Sequence, residues 1–139
     1  MKIPAEAKEI MVEKQLEKAK RTVAEWDMCI EHQVWGTLAN RMYYAVFYAV
    51  TALLTHNDYQ QGTHQGAQIL LNGKFVQPGI ISPSEAKLFS QLQSLRELGD
   101  CDYITQVSWE ELKPLIPKAK AFIAHIETLL TENNIIAHN

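Results

Sequence analysis

An apolar run that carries one arginine and three tyrosines dominates the sequence: Leu38-Ala39-Asn40-Arg41-Met42-Tyr43-Tyr44-Ala45-Val46-Phe47-Tyr48-Ala49-Val50. If this run forms an α-helix, five polar side chains recur every three or four residues and share one face of the helix. We call these residues the polar stripe: Arg41, Tyr44, Tyr48, Thr51 and Thr55. A guanidinium is rarely buried alone, because desolvating an unpaired ion costs on the order of several kcal/mol. The polar stripe therefore lines a cleft, an interface or a paired polar core.

Length and composition indicate one ordinary domain spanning residues 1–139. A chain of 139 residues with 47% hydrophobic content can bury roughly two-thirds of its unfolded surface. The formal net charge is −3, so the chain lacks the global basic excess that drives non-specific nucleic-acid binding. Any contact with RNA must therefore be local.

Cysteine content and hydropathy predict a protein of the reducing cytoplasm. Cys29 and Cys101 are too few for a disulfide framework and show no metal-like spacing. The amino terminus is charged, and no apolar run approaches the length of a membrane-spanning helix. We therefore expect a cytoplasmic protein without membrane insertion.

The apolar periodicity predicts five helical segments and no convincing strand. The first three run from after Pro4 to about Cys29, from about Val34 to His56, and from His64 to about Val76. The second is apolar around most of its circumference, which predicts the central, most buried helix. Thr63 is the predicted N-cap of the third.

A serine and a glutamate mark the start of each of the last two helices. Ser82 and Glu85 form a capping box around Pro83, and the fourth helix is predicted over 83–98, with Gly99 placed to end it. After a predicted loop over 101–107, Ser108 and Glu111 repeat the pattern at the start of the fifth helix.

Pro114 and Pro117 interrupt the fifth helix. Pro117 lies too far from the predicted start for a first-turn proline, which predicts a kink or a short helix that restarts. Short loops between amphipathic helices indicate an all-α fold, an antiparallel up-and-down bundle of four to five helices with the last one kinked near these prolines.

Two arginines and one aspartate are the charged candidates for a site. Arg41 is either a buried structural arginine tied to a carboxylate or a group that binds phosphate. On the predicted fourth helix Arg96 and Asp100 lie one turn apart, so Asp100 could neutralise either arginine if the two helices face each other. Two arginines sharing too few acids would leave a positive hollow that holds a phosphate bidentately.

The remaining candidates are aromatic or histidine side chains. Tyr44 and Tyr48 are either core residues with satisfied hydroxyls or platforms on which nucleobases stack. His64 begins the third helix, where a structural role at the helix start competes with a catalytic one. The sequence shows no zinc-ligand spacing, no catalytic triad and no phosphate-binding loop, so we expect neither a metal nor a cofactor.

Four segments in order resemble one known family. They are Asn40-Arg41-Met42-Tyr43-Tyr44-Ala45-Val46-Phe47, Thr63-His64-Gln65-Gly66, Gly73-Lys74-Phe75-Val76 and Leu95-Arg96-Glu97-Leu98-Gly99-Asp100. The chain resembles the small stand-alone HEPN-domain proteins of bacteria and archaea over nearly its whole length. The resemblance adds Asn40, Lys74 and Asp100 to Tyr44 and Arg96 as expected residues of an RNA- or nucleotide-binding cleft.

The resemblance also implies partners and a reaction. Members are usually homodimers, often paired as toxins with a minimal nucleotidyltransferase antitoxin, and active ones are metal-independent endoribonucleases. Their motif is an arginine, four to six intervening residues, and a histidine on the same helix. Six residues after Arg41 this chain has Tyr48, and a phenol with a pKa near ~10 is a poor general base at neutral pH.

Three functions therefore stay open. The first is an RNA- or nucleotide-binding dimer with a degenerate ribonuclease motif. The second is an active ribonuclease toxin that uses Arg41 with Tyr48 or His64 as catalytic residues. The third is a non-catalytic structural or regulatory partner of a nucleotidyltransferase.

Overall fold

The computed structural model describes residues 3–60, 62–100 and 107–137, the side chains of 100 and 133–137 excepted. All regular structure in these ranges is helical, which confirms the predicted all-α fold. The helices are α1 (Ala5–Ala24), α2 (Trp26–Glu31), α3 (Trp35–His56), α4 (His64–Leu71), α5 (Pro83–Asp100), α6 (Trp109–Leu112) and α7 (Leu115–Ala137), with a π-helical turn over Asn72–Val76. The predicted loop over 101–107 lies outside the described residues except for Val107.

α3 is the central helix of the bundle, as its apolar circumference predicts. Helices α1, α5 and α7 all pack against it. Its fully buried side chains are Leu38, Ala39, Met42, Tyr43, Ala45, Val46, Ala49, Val50, Ala52, Leu53 and Leu54. Burying one large apolar side chain contributes about 1.5–3 kcal/mol, so this helix supplies much of the core. None of the described helices has the length and apolarity required to cross a bilayer.

α1 runs antiparallel to α3. Near the start of α1, the Lys8 ammonium lies 3.4 Å from a carboxylate oxygen of Asp58, just past the end of α3. After the end of α1, Glu25 lies 3.7 Å from the guanidinium of Arg41, near the start of α3. Because residue numbers rise along one helix as they fall along the other, this pair forms one antiparallel layer of the bundle.

α5 also runs antiparallel to α3, and the two backbones touch. A Cβ atom added to Gly99 would lie 3.1 Å from both the Cα and the carbonyl oxygen of Gly36. Further along, the rings of Phe89 and Tyr43 stack with centroids 5.7 Å apart. Gly99 does not end the helix as predicted, since α5 continues to Asp100. Its lack of a side chain serves the close approach of α3 instead.

The first predicted helix is broken in two at Glu25. The N–H of Glu25 donates to the carbonyls of Thr22 and Val23, which tightens the last turn of α1. The Thr22 hydroxyl donates to the carbonyl of Lys18 at 2.7 Å, a bond of the kind that bends helices. A single helix to Cys29 is therefore wrong, and Cys29 lies buried in α2.

α4 begins at the predicted residue, but its α-helical part ends at Leu71, and a π-helical turn continues to the predicted end at Val76. The Thr63 hydroxyl accepts from the N–H of Gly66 at 2.9 Å, which confirms the predicted cap. After Leu71 the helix opens into the π-helical turn, which contains Gly73. The glycine weakens regular α-helix at this point.

The start of α5 has its predicted cap. The backbone N–H of Ser82 donates to the Glu85 carboxylate at 2.9 Å, and the N–H of Glu85 donates to the Ser82 hydroxyl at 3.1 Å. The second carboxylate oxygen of Glu85 lies 2.7 Å from Nδ1 of His125 on α7. The same side chain therefore caps α5 and joins it to α7.

Of the two alternatives predicted at the prolines, the structure has the short helix that restarts. Ser108 and Glu111 form the predicted capping box of α6, which ends at Leu112. Pro114 lies in the break, and Pro117 is the third residue of α7. Pro117 is therefore a first-turn proline, contrary to its predicted position, and its missing N–H breaks no helical bond.

A pair of stacked indoles docks α6 against the start of α3. The rings of Trp35 and Trp109 have centroids 5.0 Å apart and planes 22° apart. Both side chains are half-buried and pack against the core. The pair joins the central helix to the segment that precedes α7.

Candidate functional site

The polar stripe of α3 divides into an accessible part and a closed part. Arg41, Tyr44 and Tyr48 are partly exposed. Thr51 donates its hydroxyl to the carbonyl of Phe47 at 2.8 Å, and Thr55 is buried. The side chains of the stripe that are accessible to a ligand therefore lie between positions 41 and 48.

Arg41 is held by its neighbours but keeps contact with solvent. Its Nε and Nη2 atoms donate to the Asn40 side-chain oxygen at 3.0 and 2.6 Å. Its Nη1 atom lies 3.7 Å from the Glu25 carboxylate, and 27% of the Arg41 side chain is exposed. The carboxylate near Arg41 is thus Glu25; the side chain of Asp100, the predicted partner, lies outside the described part of the chain.

Arg96 approaches the same stripe from α5. Its guanidinium carbon lies 5.2 Å from the ring centroid of Tyr43 and 5.7 Å from that of Tyr44. The guanidinium carbon of Arg41 lies 5.5 Å from the Tyr44 ring. Two positive charges from two helices therefore meet one phenol, at distances typical of cation–π contacts.

His64 folds back over α3 and joins this cluster. Its Nδ1 atom lies 2.6 Å from the hydroxyl of Tyr43, and its ring lies 4.5 Å from the ring of Phe47. The Tyr44 ring lies 5.8 Å away. The start of α4 thus places an imidazole beside the aromatic part of the polar stripe.

The surroundings of Tyr43 and His64 determine the protonation state of these two hydrogen-bonded groups. Burial, and then the positive charge of Arg96, lower the pKa of His64. Burial raises the pKa of the Tyr43 phenol. Both groups are therefore neutral at neutral pH. When the Tyr43 hydroxyl donates to Nδ1, the imidazole proton resides on Nε2, which can then donate to an anion.

Tyr48 continues the cluster along α3, and α1 contributes a lysine that helical spacing does not indicate. The rings of Tyr44 and Tyr48 have centroids 5.8 Å apart. The ammonium of Lys18 lies 4.6 Å from the Tyr48 ring centroid. In the sequence Lys18 belongs to an exposed helix face, and only the antiparallel register of α1 with α3 could have revealed this contact.

Lys74 lies apart from the cluster. It is exposed on the π-helical turn, with its ammonium 5.7 Å from the ring of Tyr59. The structure thus brings together six of the predicted residues: Asn40, Arg41, Tyr44, Tyr48, His64 and Arg96. We call Arg41, Tyr44, Tyr48, His64 and Arg96 the cationic–aromatic cluster. Within the described ranges, no three His, Cys, Asp or Glu side chains are grouped to hold a metal ion.

The sequence matches a family model over most of its length. The model of the HEPN domain matches residues 12–129. This chain belongs to the HEPN domain family. The matched range runs from α1 into α7, so it includes α3, α4 and α5 and every residue of the cationic–aromatic cluster.

Relatives of this HEPN domain come from a bacterium and an archaeon. A UPF0332 protein of Thermotoga maritima is 27% identical over 90% of this chain and 95% of its own length. A Methanocaldococcus jannaschii protein named "Putative toxin MJ0142" is 22% identical, over 90% of this chain and 85% of its own. A second protein of the same archaeon, named "Putative toxin MJ0605", is 27% identical over 84% of this chain and 87% of its own length.

Proposed function

We propose that this HEPN domain protein binds RNA or a nucleotide at the cationic–aromatic cluster and that its ribonuclease motif is degenerate. One observation carries the proposal: the guanidinium groups of Arg41 and Arg96, from two different helices, both lie against the ring of Tyr44. Guanidinium groups match the geometry of phosphate oxygens, and exposed rings stack on bases.

Charge supports a local contact of this kind. The chain as a whole carries a formal net charge of −3, so an anionic ligand is attracted only where cations are concentrated. Glu25 offsets part of the charge of Arg41, while Arg96 adds a second cation on the same ring. The cluster therefore brings two guanidinium groups together on a protein of negative net charge.

The proposed setting is a toxin-like protein that acts as a homodimer with a nucleotidyltransferase-type partner. The names of the two M. jannaschii relatives support the toxin-like role. The dimer and the partner follow from the family resemblance of the motifs on α3, α4 and α5. In a dimer, two copies of α3 would line one cleft and double the number of cations that contact the ligand.

Binding is tested with fluorescently labelled RNA and with nucleotides, measured by anisotropy and by calorimetry. We expect binding that weakens as salt rises, because each phosphate contact releases bound counterions. Arg41→Ala and Arg96→Ala should each weaken it at least tenfold, the effect of losing a charge-assisted hydrogen bond of about 1.5–3 kcal/mol. Lys120→Ala, an exposed change on α7, is the control and should leave binding unchanged. The absence of binding at low salt would refute the proposal.

Residual ribonuclease activity is the second candidate, and the position of His64 favours it. If Nδ1–H donates to the Tyr43 oxygen, Nε2 has a free lone pair and can accept the proton of an RNA 2′-hydroxyl. The 2′-oxygen then bonds to phosphorus as the bond to the 5′-oxygen breaks, and the leaving oxygen takes up a proton. Arg41 and Arg96 would stabilise the charge that grows on the phosphate.

Cleavage is tested by incubating the protein with RNA and a chelator. Activity through His64 should fall at least a hundredfold in His64→Gln, the range that general acid–base catalysis contributes. Tyr48→Phe distinguishes the alternative in which the phenol takes part. No cleavage products from the unaltered protein, or cleavage that survives Arg41→Ala, would exclude this second function while leaving the binding proposal in place.

A further inference from the structure

We propose that the groove between α5 and α7 binds a small organic anion, one carboxylate on an apolar body of the size of a medium-chain fatty acid. The site is separate from the cationic–aromatic cluster, and the inference does not depend on the proposed function. It is carried by the shape of the groove, its apolar floor and the two lysines at its rim.

The groove has the dimensions of a small-molecule site. Its volume is about 480 Å³, and pockets for small ligands have volumes of roughly 300–1,000 Å³. The lining residues are Ser84, Glu85, Lys87, Leu88 and Gln91 of α5 and Lys118, Ala121 and Phe122 of α7. Positions 84 and 91 are seven residues apart in a helix, which corresponds to a rise of about 10.5 Å. The groove can therefore hold an elongated molecule along the helix axes.

The floor of the groove is apolar. Leu88 and Phe122 are buried members of the core, and their exposed edges line the groove. Ala121 also lines it and contributes only a methyl group, which leaves room above the floor. Removing apolar surface from water contributes about 25 cal/mol per Å², so an apolar chain on this floor is stabilised on both sides of the contact.

Two lysines at the rim favour an anion. Lys87 of α5 and Lys118 of α7 are exposed, and within the described ranges neither takes part in an ion pair. Glu85 is engaged elsewhere, since one carboxylate oxygen accepts from the N–H and the hydroxyl of Ser82 and the other lies 2.7 Å from Nδ1 of His125. Two ammonium groups and one carboxylate leave a net charge of +1 at the groove, which is complementary to a monoanion.

The groove opens on a different face of α5 from the cluster. Phe89 and Arg96 face α3, where the ring of the first and the guanidinium of the second lie against Tyr43. Leu88 and Gln91 lie on another side of the helix and line the groove with α7. A ligand in the groove therefore occupies a surface that the cluster does not use.

The experiment titrates octanoate, octanol and octylamine into the isotope-labelled, full-length protein at neutral pH and follows the backbone amides by NMR. The three probes share one apolar chain and differ in charge, since the carboxylate and the amine are both ionised at this pH. We expect octanoate to shift the amide signals of Leu88 and Ala121 and to bind more tightly than octanol. Octylamine should bind most weakly.

Variants of the rim test the two lysines. Lys87→Gln and Lys118→Gln should each weaken octanoate binding about two- to fivefold, the range for an exposed ion pair, and leave octanol binding unchanged. Lys120→Gln is the matched control, because Lys120 is exposed on the same helix and does not line the groove. It removes the same charge and should match the unaltered protein.

A variant of the floor tests where the ligand lies. Ala121→Glu places a carboxylate in the groove, so it should weaken octanoate binding more than either glutamine variant does. Ala124→Glu adds the same charge at an exposed position of α7 outside the groove and should leave binding unchanged.

Other outcomes would overturn the inference. Octanol that binds as tightly as octanoate would overturn the choice of an anion, and equal octanoate binding in Lys118→Gln and Lys120→Gln would overturn the role of the rim. Octanoate shifts confined to residues around Arg41, or no shifts in the groove with any probe, would refute the site. None of these results bears on RNA or nucleotide binding at the cluster, so the two proposals fail separately.

Discussion

At the scale of single residues, the hydrogen bond between Tyr43 and His64 joins α3 to α4 inside the site. Replacing Tyr43 with Phe removes the hydroxyl but conserves the ring that stacks on Phe89. We expect a loss of about 1 kcal/mol in the free energy of unfolding, the usual contribution of one hydrogen bond. We also expect a higher pKa of His64, because the bond from the phenol to Nδ1 stabilises the neutral imidazole.

Urea unfolding measures the first effect, and an NMR titration of the imidazole measures the second. Tyr59→Phe, in the loop between α3 and α4, is the matched control for removal of a phenol hydroxyl. Equal stability and an equal His64 pKa in Tyr43→Phe and the unaltered protein would show that the bond contributes nothing.

His64 also makes stability depend on pH. Burial and the charge of Arg96 lower its folded-state pKa below the ordinary value of 6.5, and burial and the charge of Lys8 do the same for His56. Between the folded and unfolded pKa values, the unfolded chain binds more protons. The contribution of these histidines to the free energy of unfolding is therefore most favourable above pH 6.5, and the protein loses stability as the pH falls from there towards the folded-state pKa values.

The measurement is the denaturation midpoint in urea on either side of pH 6.5. We expect the midpoint to fall with decreasing pH, and to fall less steeply in His64→Gln, where one of the two histidines no longer titrates. An unchanged pH dependence in that variant would exclude His64 as a source of the effect.

A residue of the site was predictable from the sequence only if its spacing within one helix, or a local motif, marked it. Arg41, Tyr44 and Tyr48 could be identified from helical spacing, and His64 and Arg96 from their motifs. Glu25 and Lys18 could not, because each reaches the site across the packing of α1 on α3. A sequence read one helix at a time contains no information about that register.

At the scale of elements, the contact between Gly36 and Gly99 sets how closely α3 and α5 approach. Gly99→Ala would place a Cβ atom 3.1 Å from the backbone of Gly36, so the helices must separate by a few tenths of an ångström. We expect a net destabilisation of about 1 kcal/mol, since overpacking costs about 1–3 kcal/mol and alanine regains part of this through helix propensity.

Gly73→Ala is the control, because a Cβ atom there meets nothing within 4 Å. It should be neutral or stabilising by up to about 1 kcal/mol. Thermal and chemical unfolding compare the two variants, and RNA binding should weaken only in Gly99→Ala, since Arg96 lies one turn before Gly99. Equal stability of both variants would contradict a tight interface.

Most helices were predictable from apolar period and caps, and the break at Glu25 was not. Ser82 and Ser108 mark helix starts through local chemistry, so their positions are confirmed. The break at Glu25 depends on how α1 and α2 both reach the core. The restart at Leu115, in contrast, is one of the two outcomes that the prolines on either side of it predict. Gly99 shows the same limit: in sequence it is a helix terminator, and in the folded chain it is a packing residue.

At the scale of the whole molecule, we expect a homodimer. The measured mass in solution, by light scattering after size exclusion, should be twice the 15.8 kDa of one chain. Exposed apolar side chains on α2 and α4 are available to an interface, since Met28 is 57% and Ile69 63% exposed. A mass of one chain at micromolar concentration and above would contradict the dimer.

The stacked pair Trp35 and Trp109 gives the protein an optical label of its own. Indoles with ring centroids 5.0 Å apart couple their electronic transitions, whereas Trp26 is buried separately in α2. Because Trp35 precedes Arg41 by six positions on the same helix, circular dichroism of the coupled indoles reports on the end of α3 nearest the cluster. A titration with unlabelled RNA can therefore be followed without a dye, and unfolding of α6 from α3 can be separated from global unfolding.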